Sequence, residues 1–258
     1  MNVSFIGSGN LAWHLAPAFD NTDFQVREVY SRNARNAEKL VDRLYHARVQ
    51  STLDFSSSSS RIFVIAVSDD AIDDIVGEIV LPDDSILLHT SGSQPLNVLA
   101  YAATSSTGVF YPLQTFSKHK KVDFNEVPVF VESEDSATEQ VMLQMARAIS
   151  RKVHRISSEQ RLTLHLAAVF ASNFTNHMLT ISRDILQTRK LEFEWLKPLI
   201  AEQINKSLTV GPEEAQTGPA RRGDLEVLDR HVSLLSNDDA VAGIYRAVSQ
   251  HIVDRYHQ

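Results

Sequence analysis

The sequence predicts an α/β fold: a doubly wound, mostly parallel sheet over residues 1–156, followed by an all-α domain over residues 157–258. Three observations carry this expectation. Short apolar runs alternate with amphipathic stretches through the first part, the order of a parallel sheet with covering helices. Strand signals stop after Ile156, and the remainder reads as helix. The first strand runs straight into Gly7-Ser-Gly-Asn-Leu-Ala12, the small-residue spacing of a Rossmann dinucleotide-binding turn.

Each element follows in order. Val3–Ile6 reads as a short buried strand. Gly7 allows a tight turn, Gly9 lets the backbone approach a pyrophosphate, and Ala12 keeps the next helix close to the strand. That helix carries Leu11, Leu15, Ala16 and Phe19 on its apolar side. Its N-terminus offers unpaired N–H groups and a positive dipole end to phosphates, so Gly7, Ser8, Gly9, Asn10 and Leu11 are candidate cofactor-binding residues. Gln25–Tyr30 alternates as a second strand and ends at Ser31-Arg32. An NAD-preferring fold places an acid here for the ribose 2′-OH. A hydroxyl and a guanidinium suit a 2′-phosphate instead, which points to NADP. An ordinary surface arginine after a strand is the alternative.

Residues 34–45 show helical spacing, and Ala47–Val49 forms a short third strand. The five serines from Ser56 to Ser60 read as a solvated loop. Arg61–Val67 is a continuous apolar run, as for a central strand buried on both faces. Asp69, Asp70, Asp73 and Asp74 open the next helix and complement its dipole, with no ligand set that would suggest a metal. Ser85–His89 is the following strand, ending in Thr90-Ser-Gly-Ser93. Ligands sit beyond the carboxyl ends of such strands. Val67, Ser68, Asp69, His89, Thr90, Ser91 and Gly92 are therefore expected around the nicotinamide end of the cleft. Val109–Gln114 is strand-like, the run Lys118–Lys121 reads as a solvated loop, and Val127–Val131 and Val153–Ile156 flank an amphipathic helix.

From Ser157 onward, Ser158-Glu-Gln-Arg161 can cap a helix running from Glu159 to about Arg189, apolar over a wide face and so expected to be mostly buried. Further helices are expected at 193–210, 224–235 and 239–256. The long helix carries His165, Asn173 and His177, polar groups in apolar surroundings that need partners. His177 lies four after Asn173, on one face, with His165 near that face two turns earlier. Helix–helix hydrogen bonding would explain them equally. The Gly- and Pro-rich loop before the third of these four helices holds Arg222 and Asp224, which suit an anionic ligand, although Asp224 also fits as a helix N-cap.

Composition narrows the function classes. A chain of 258 residues accommodates one large or two modest domains. Its net charge of −7 argues against nucleic acid or an anionic membrane as partner. The absence of cysteine excludes disulfides, thiolate catalysis and zinc–thiolate sites. A first strand almost at Met1 leaves no room for a leader, and no apolar run approaches the roughly 20 residues of a bilayer span, so the expected location is cytoplasmic.

Taken together, Ile6–Ala12, Ala66–Ile72, His89–Gly92, Tyr111–Phe116, the Asn173 helix and Thr217–Asp224 resemble a group of Rossmann-like proteins with an all-helical C-terminal domain of unknown function, labelled as candidate NADP oxidoreductases. The wider superfamily includes pyrroline-carboxylate, ketopantoate, prephenate and 6-phosphogluconate dehydrogenases. The resemblance implies NADP at the first motif and a homodimer built through the helical domain. Hydroxyacid dehydrogenases of the superfamily carry a catalytic lysine four residues before the helix asparagine; this chain has Val169 there. The expected function is hydride transfer between NADP(H) and a small polar metabolite. His165 or His89 would be the proton donor and Asn173 would orient the substrate. Gln114, His177, Arg222 and Asp224 are the substrate-binding candidates. A non-catalytic NADP(H) sensor and a scaffold with a vestigial fingerprint are the alternatives.

Overall fold

The computed structural model describes residues 1–257. Eight strands form one sheet: β1 (Asn2–Ile6), β2 (Gln25–Tyr30), β3 (Arg48–Gln50), β4 (Ile62–Ile65), β5 (Ile86–His89), β6 (Ser106–Pro112), β7 (Val129–Glu132) and β8 (Val153–Arg155). Their order is β3-β2-β1-β4-β5-β6-β7-β8. The chain reverses direction of travel between β1 and β4, the switch point where α/β sheets open a crevice at their carboxyl ends. Helices α1 (Asn10–Asp20), α2 (Ala34–Val41), α3 (Ile72–Glu78) and α4 (Ser136–Ile149) link the strands.

The central strands are buried on both faces because their side chains alternate between two separate cores. Val3, Phe5, Ile62, Val64, Ile86 and Leu88 pack with Leu15, Phe19 and Met142 on one side. Ile6, Phe63, Ile65 and Leu87 pack with Phe55, Ile72 and Ile75 on the other. Each such side chain contributes about 1.5–3 kcal/mol of burial.

One strand departs from the parallel pattern. β7 runs antiparallel to β6. A parallel return needs a crossover of a dozen or more residues, usually a helix. Residues 113–128 contain only a single 3-10 turn, and the Leu113 N–H closes the return by donating to the Pro128 carbonyl at 2.8 Å. The serine run also differs from expectation. Ser60 is buried, and the Ser58 hydroxyl donates to Glu28 on β2. Glu28 also accepts from Ser4 at 2.6 Å and Arg48 at 2.8 Å. Burial opposes ionisation of Glu28, but these donors together hold its pKa below the usual carboxylate value.

The long helix is broken into three parts. α5 (Ser158–Ala168) opens with a capping box on Ser157 and Gln160, one residue before the expected cap. A π-helical segment, Val169–Phe174, follows, and then α6 (Thr175–Gln187). The π segment interrupts the 3.6-residue phase on which the shared-face expectation for His165 and Asn173 rested.

The contacts divide the chain into two compact units, Met1–Ser172 and Asn173 onward. The division falls later than the expected 156/157 because α5 is held to the sheet. In the second unit, α6 is followed by α7 (Lys197–Val210), two single-turn helices α8 (Pro212–Ala215) and α9 (Pro219–Arg222), then α10 (Leu225–Leu234) and α11 (Asp239–Tyr256). The expected burial of the long helix is not met within one chain. Leu166 and Phe170 are 58% and 62% exposed, and Met178 and Ile185 are exposed too. No helix of the described residues is long and apolar enough to cross a membrane.

Candidate active site

A cleft of about 830 Å³ opens at the carboxyl ends of β1 and β4. Gly7, Ser8, Gly9, Asn10 and Leu11 line it from the first turn, Ser31 and Arg32 from the end of β2, Val67, Ser68 and Asp69 from β4, and Thr90 and Ser91 from β5. Gly92, Lys118 and His165 complete the nearby wall.

The sequence shapes the turn directly. Gly7 has φ +115°, and a Cβ there would run into the Ala66 carbonyl just after β4. Its N–H donates to the Tyr30 carbonyl at 2.8 Å, fixing the turn against β2. At Gly9 a Cβ would meet only the Ala66 oxygen, at 3.9 Å, so this backbone is open to the cleft. Gly9 is also the N-cap of α1 and offers no side-chain cap. The first-turn amides are thus left to bind an anion. Ser8 donates to Ser31 across the cleft at 2.9 Å. Asn33 caps α2 by accepting from the Arg35 N–H at 3.1 Å, which sets the segment bearing Arg32.

Lys118 was expected in a solvated loop. Its ammonium instead donates to the Ser8 carbonyl at 3.0 Å and lies 4.9 Å from the centre of the Trp13 ring. It adds a positive charge beside the glycine turn. No local pattern in the sequence marks this, because the two residues lie 110 positions apart in the chain.

Behind the Ser91–Gly92 side of the cleft lies a buried polar cluster. Arg161 of α5 is completely covered. Its Nε donates to Glu132 of β7 at 2.9 Å, and one terminal nitrogen donates to the Ser91 and Gly92 carbonyls at 3.1 and 3.0 Å. Ser158 donates to the other Glu132 oxygen. The second terminal nitrogen of Arg161 has no partner among the described residues, and the same holds for His89 Nε2. In the sequence Arg161 stands out only as part of a helix-capping run.

The two candidate histidines part company here. His165 lines the cleft, and its Nδ1 lies 3.1 Å from the Tyr111 hydroxyl. His89 is fully covered and lies outside the cleft wall. Its Nδ1 accepts from the Ser91 N–H at 3.2 Å. Burial, then the nearby Arg161 charge, push its pKa down to about 4. A neutral, enclosed imidazole has no path to a substrate, so His89 is corrected from proton donor to support for the Ser91 turn. Gln114 is exposed outside the cleft wall, its side-chain oxygen accepting from Thr115. In the second unit, Asn173 and His177 are exposed on the helix, Arg222 ends α9, and the Asp224 carboxylate caps α10 by accepting from Val227 N–H at 3.3 Å. No cluster of metal-binding side chains occurs among the described residues.

Comparison with known proteins gives a consistent picture. Residues 2–91 match the family described as "NADP oxidoreductase coenzyme F420-dependent", and residues 127–252 match "Domain of unknown function (DUF2520)". The candidate NADP oxidoreductase BF3122 of Bacteroides fragilis is 35% identical over 98% of both chains, with a TM-score of 0.86. Protein TM1727 of Thermotoga maritima is 22% identical over 96% of this chain and 99% of its own, with a TM-score of 0.74. An imine reductase of Myxococcus stipitatus, solved with NADP+, shares the fold over 100% of each chain at 14% identity and a TM-score of 0.69. No curated protein matches the chain.

Proposed function

The chain belongs to the family that joins an NADP oxidoreductase domain to a DUF2520 domain, and from that premise we propose that it transfers hydride between NADP(H) and a carbonyl, hydroxyl or imine carbon of a small polar metabolite. One observation carries the proposal: the glycine turn after β1, the Ser31–Arg32 pair after β2 and His165 of α5 line a single cleft. The residues fit the cofactor. The open Gly9 backbone, the uncapped start of α1 and Lys118 would hold the pyrophosphate. Ser31 and Arg32 would hold the 2′-phosphate, with no acid at that position to repel it. Val67, Ser68, Asp69, Thr90 and Ser91 would wall in the nicotinamide end. NADPH, when bound, supplies the hydride. His165 presents a ring nitrogen to the substrate heteroatom and supplies the hydrogen-bond donor there.

Val169, standing where related dehydrogenases carry lysine, favours a second reading, an NADP(H)-binding sensor without turnover. Stopped-flow absorbance of bound NADPH against a panel of carbonyls and imines separates the two. Turnover that falls about 10²–10⁴-fold in His165→Ala supports catalysis; NADPH oxidation by no panel member supports the sensor. Cofactor binding itself is tested by calorimetry. Gly9→Val abolishes binding by filling the open backbone. Arg32→Ala costs about 1–3 kcal/mol for NADP and little for NAD. Equal losses for both coenzymes would remove Arg32 from the 2′-phosphate site.

A further inference from the structure

Tyr111 lies on β6 and is 8% exposed, its hydroxyl 3.1 Å from His165 Nδ1 and its ring edge-on to the imidazole with centroids 6.1 Å apart. Burial raises its pKa, so the phenol keeps its proton through the neutral range. That proton needs an acceptor. Within the first unit, His165 Nδ1 is the hydroxyl's one hydrogen-bond partner. When the phenol donates to it, Nδ1 offers its lone pair, and in the singly protonated ring the proton then sits on Nε2.

The chain makes room for this pair. A Cβ on Gly92 would strike His165 Nδ1 and would come within 2.7 and 2.8 Å of the Tyr111 ring. Arg161 in turn grips the Gly92 carbonyl at 3.0 Å, so the glycine cannot drift away from the two rings.

We propose that Tyr111 is a positioning residue that fixes His165 as its Nε2–H tautomer, making the site selective for carbonyl compounds over protonated iminium ions. The selectivity rests on the proposed oxidoreductase function; the tautomer does not. A neutral Nε2–H donates to a carbonyl oxygen and stabilises the negative charge that grows there as hydride adds to the carbon. A protonated iminium nitrogen carries its own N–H and no lone pair, so it meets the His165 donor with a second donor.

The test is ¹⁵N–¹H correlation spectroscopy on the full chain labelled at histidine, without cofactor, with the His165 signals identified by their loss in His165→Gln. The wild type is expected to show one tautomer, protonated at Nε2. Tyr111→Phe, which keeps the ring and its packing, is expected to show a mixture of both tautomers, as is Gly92→Ala. A wild type protonated at Nδ1, or a single unchanged tautomer in Tyr111→Phe, overturns the positioning role whatever the enzyme reduces. With NADPH binding verified by calorimetry, reduction of ketones or aldehydes at least tenfold faster than of cyclic imines supports the selectivity, and the reverse order overturns it. NADPH bound but oxidised by neither class defeats the oxidoreductase reading and the selectivity with it, while the spectra still decide the tautomer.

Discussion

His89 sits completely covered beside the Arg161 guanidinium, and that placement has a cost in acid. Its pKa is about 4 in the folded chain against 6.5 as the ordinary value. The depressed value means that the fold holds the neutral ring, while the unfolded chain takes up a proton first. The contribution to stability is complete above pH 6.5, falls away as the pH drops through that value, and is gone below about 4. The gap corresponds to about 3 kcal/mol. Urea unfolding at pH 7.0, 5.5 and 4.5 should therefore show a steep loss in the wild type. His89→Asn, which can still accept from the Ser91 N–H, should flatten that loss by about the same amount. Parallel pH profiles for the two proteins would mean that other groups drive the acid sensitivity. The same burial that makes His89 a stability sensor removes it from chemistry, whereas His165 stays within reach of a ligand.

At the scale of elements, the first turn of α5 is tied to β7 by Arg161 and Glu132, both almost without solvent contact. Removing one partner strands the other charge. Arg161→Met is expected to destabilise the protein by about 3–5 kcal/mol in urea unfolding. Arg161→Met combined with Glu132→Leu should cost less than the single change, because no buried charge remains unpaired; a double variant less stable than the single one would show that the Ser91 and Gly92 carbonyls dominate instead. This link was not legible in the sequence, and the reason is general. The elements themselves could be read because their signals are local: the run Ile62–Ile65 announces a strand covered on both sides, and Gly7, Gly9 and Ala12 announce a nucleotide turn within six residues. The contacts that finish the site pair residues far apart in sequence, as Lys118 with Ser8, Arg161 with Gly92 and Tyr111 with His165. No period or spacing encodes them. The π segment at Val169–Phe174 escaped for a different reason: α and π windings differ by about one residue per turn, and no residue type in this stretch distinguishes them. The reversal of β7 could have been suspected from the lack of a helical pattern between Pro112 and Pro128.

At the scale of the whole molecule, the second unit lacks a core of its own. Among its described residues, the apolar side chains that are fully buried are Ala215, Ala220 and Ala242. Three alanines offset little of the conformational entropy of ordering the six helices from α6 to α11, which costs about 1–2 kcal/mol per residue for the backbone. Meanwhile Met178, Ile185, Trp195, Leu199, Leu208 and Leu234 stand exposed, large apolar side chains of the kind that an association face gathers. Were the occupant a second copy of the chain, the pair would supply both faces of the missing core. The expected result of sedimentation velocity at micromolar concentration is a dimer of about twice the 28.9 kDa chain mass. Met178→Glu with Ile185→Glu should yield monomers whose melting temperature falls and no longer depends on protein concentration, because the burial that stabilises the helices is then lost. A wild type that sediments as a monomer with a concentration-independent melting temperature would show that the exposed apolar face serves another partner, and the homodimer would have to be abandoned.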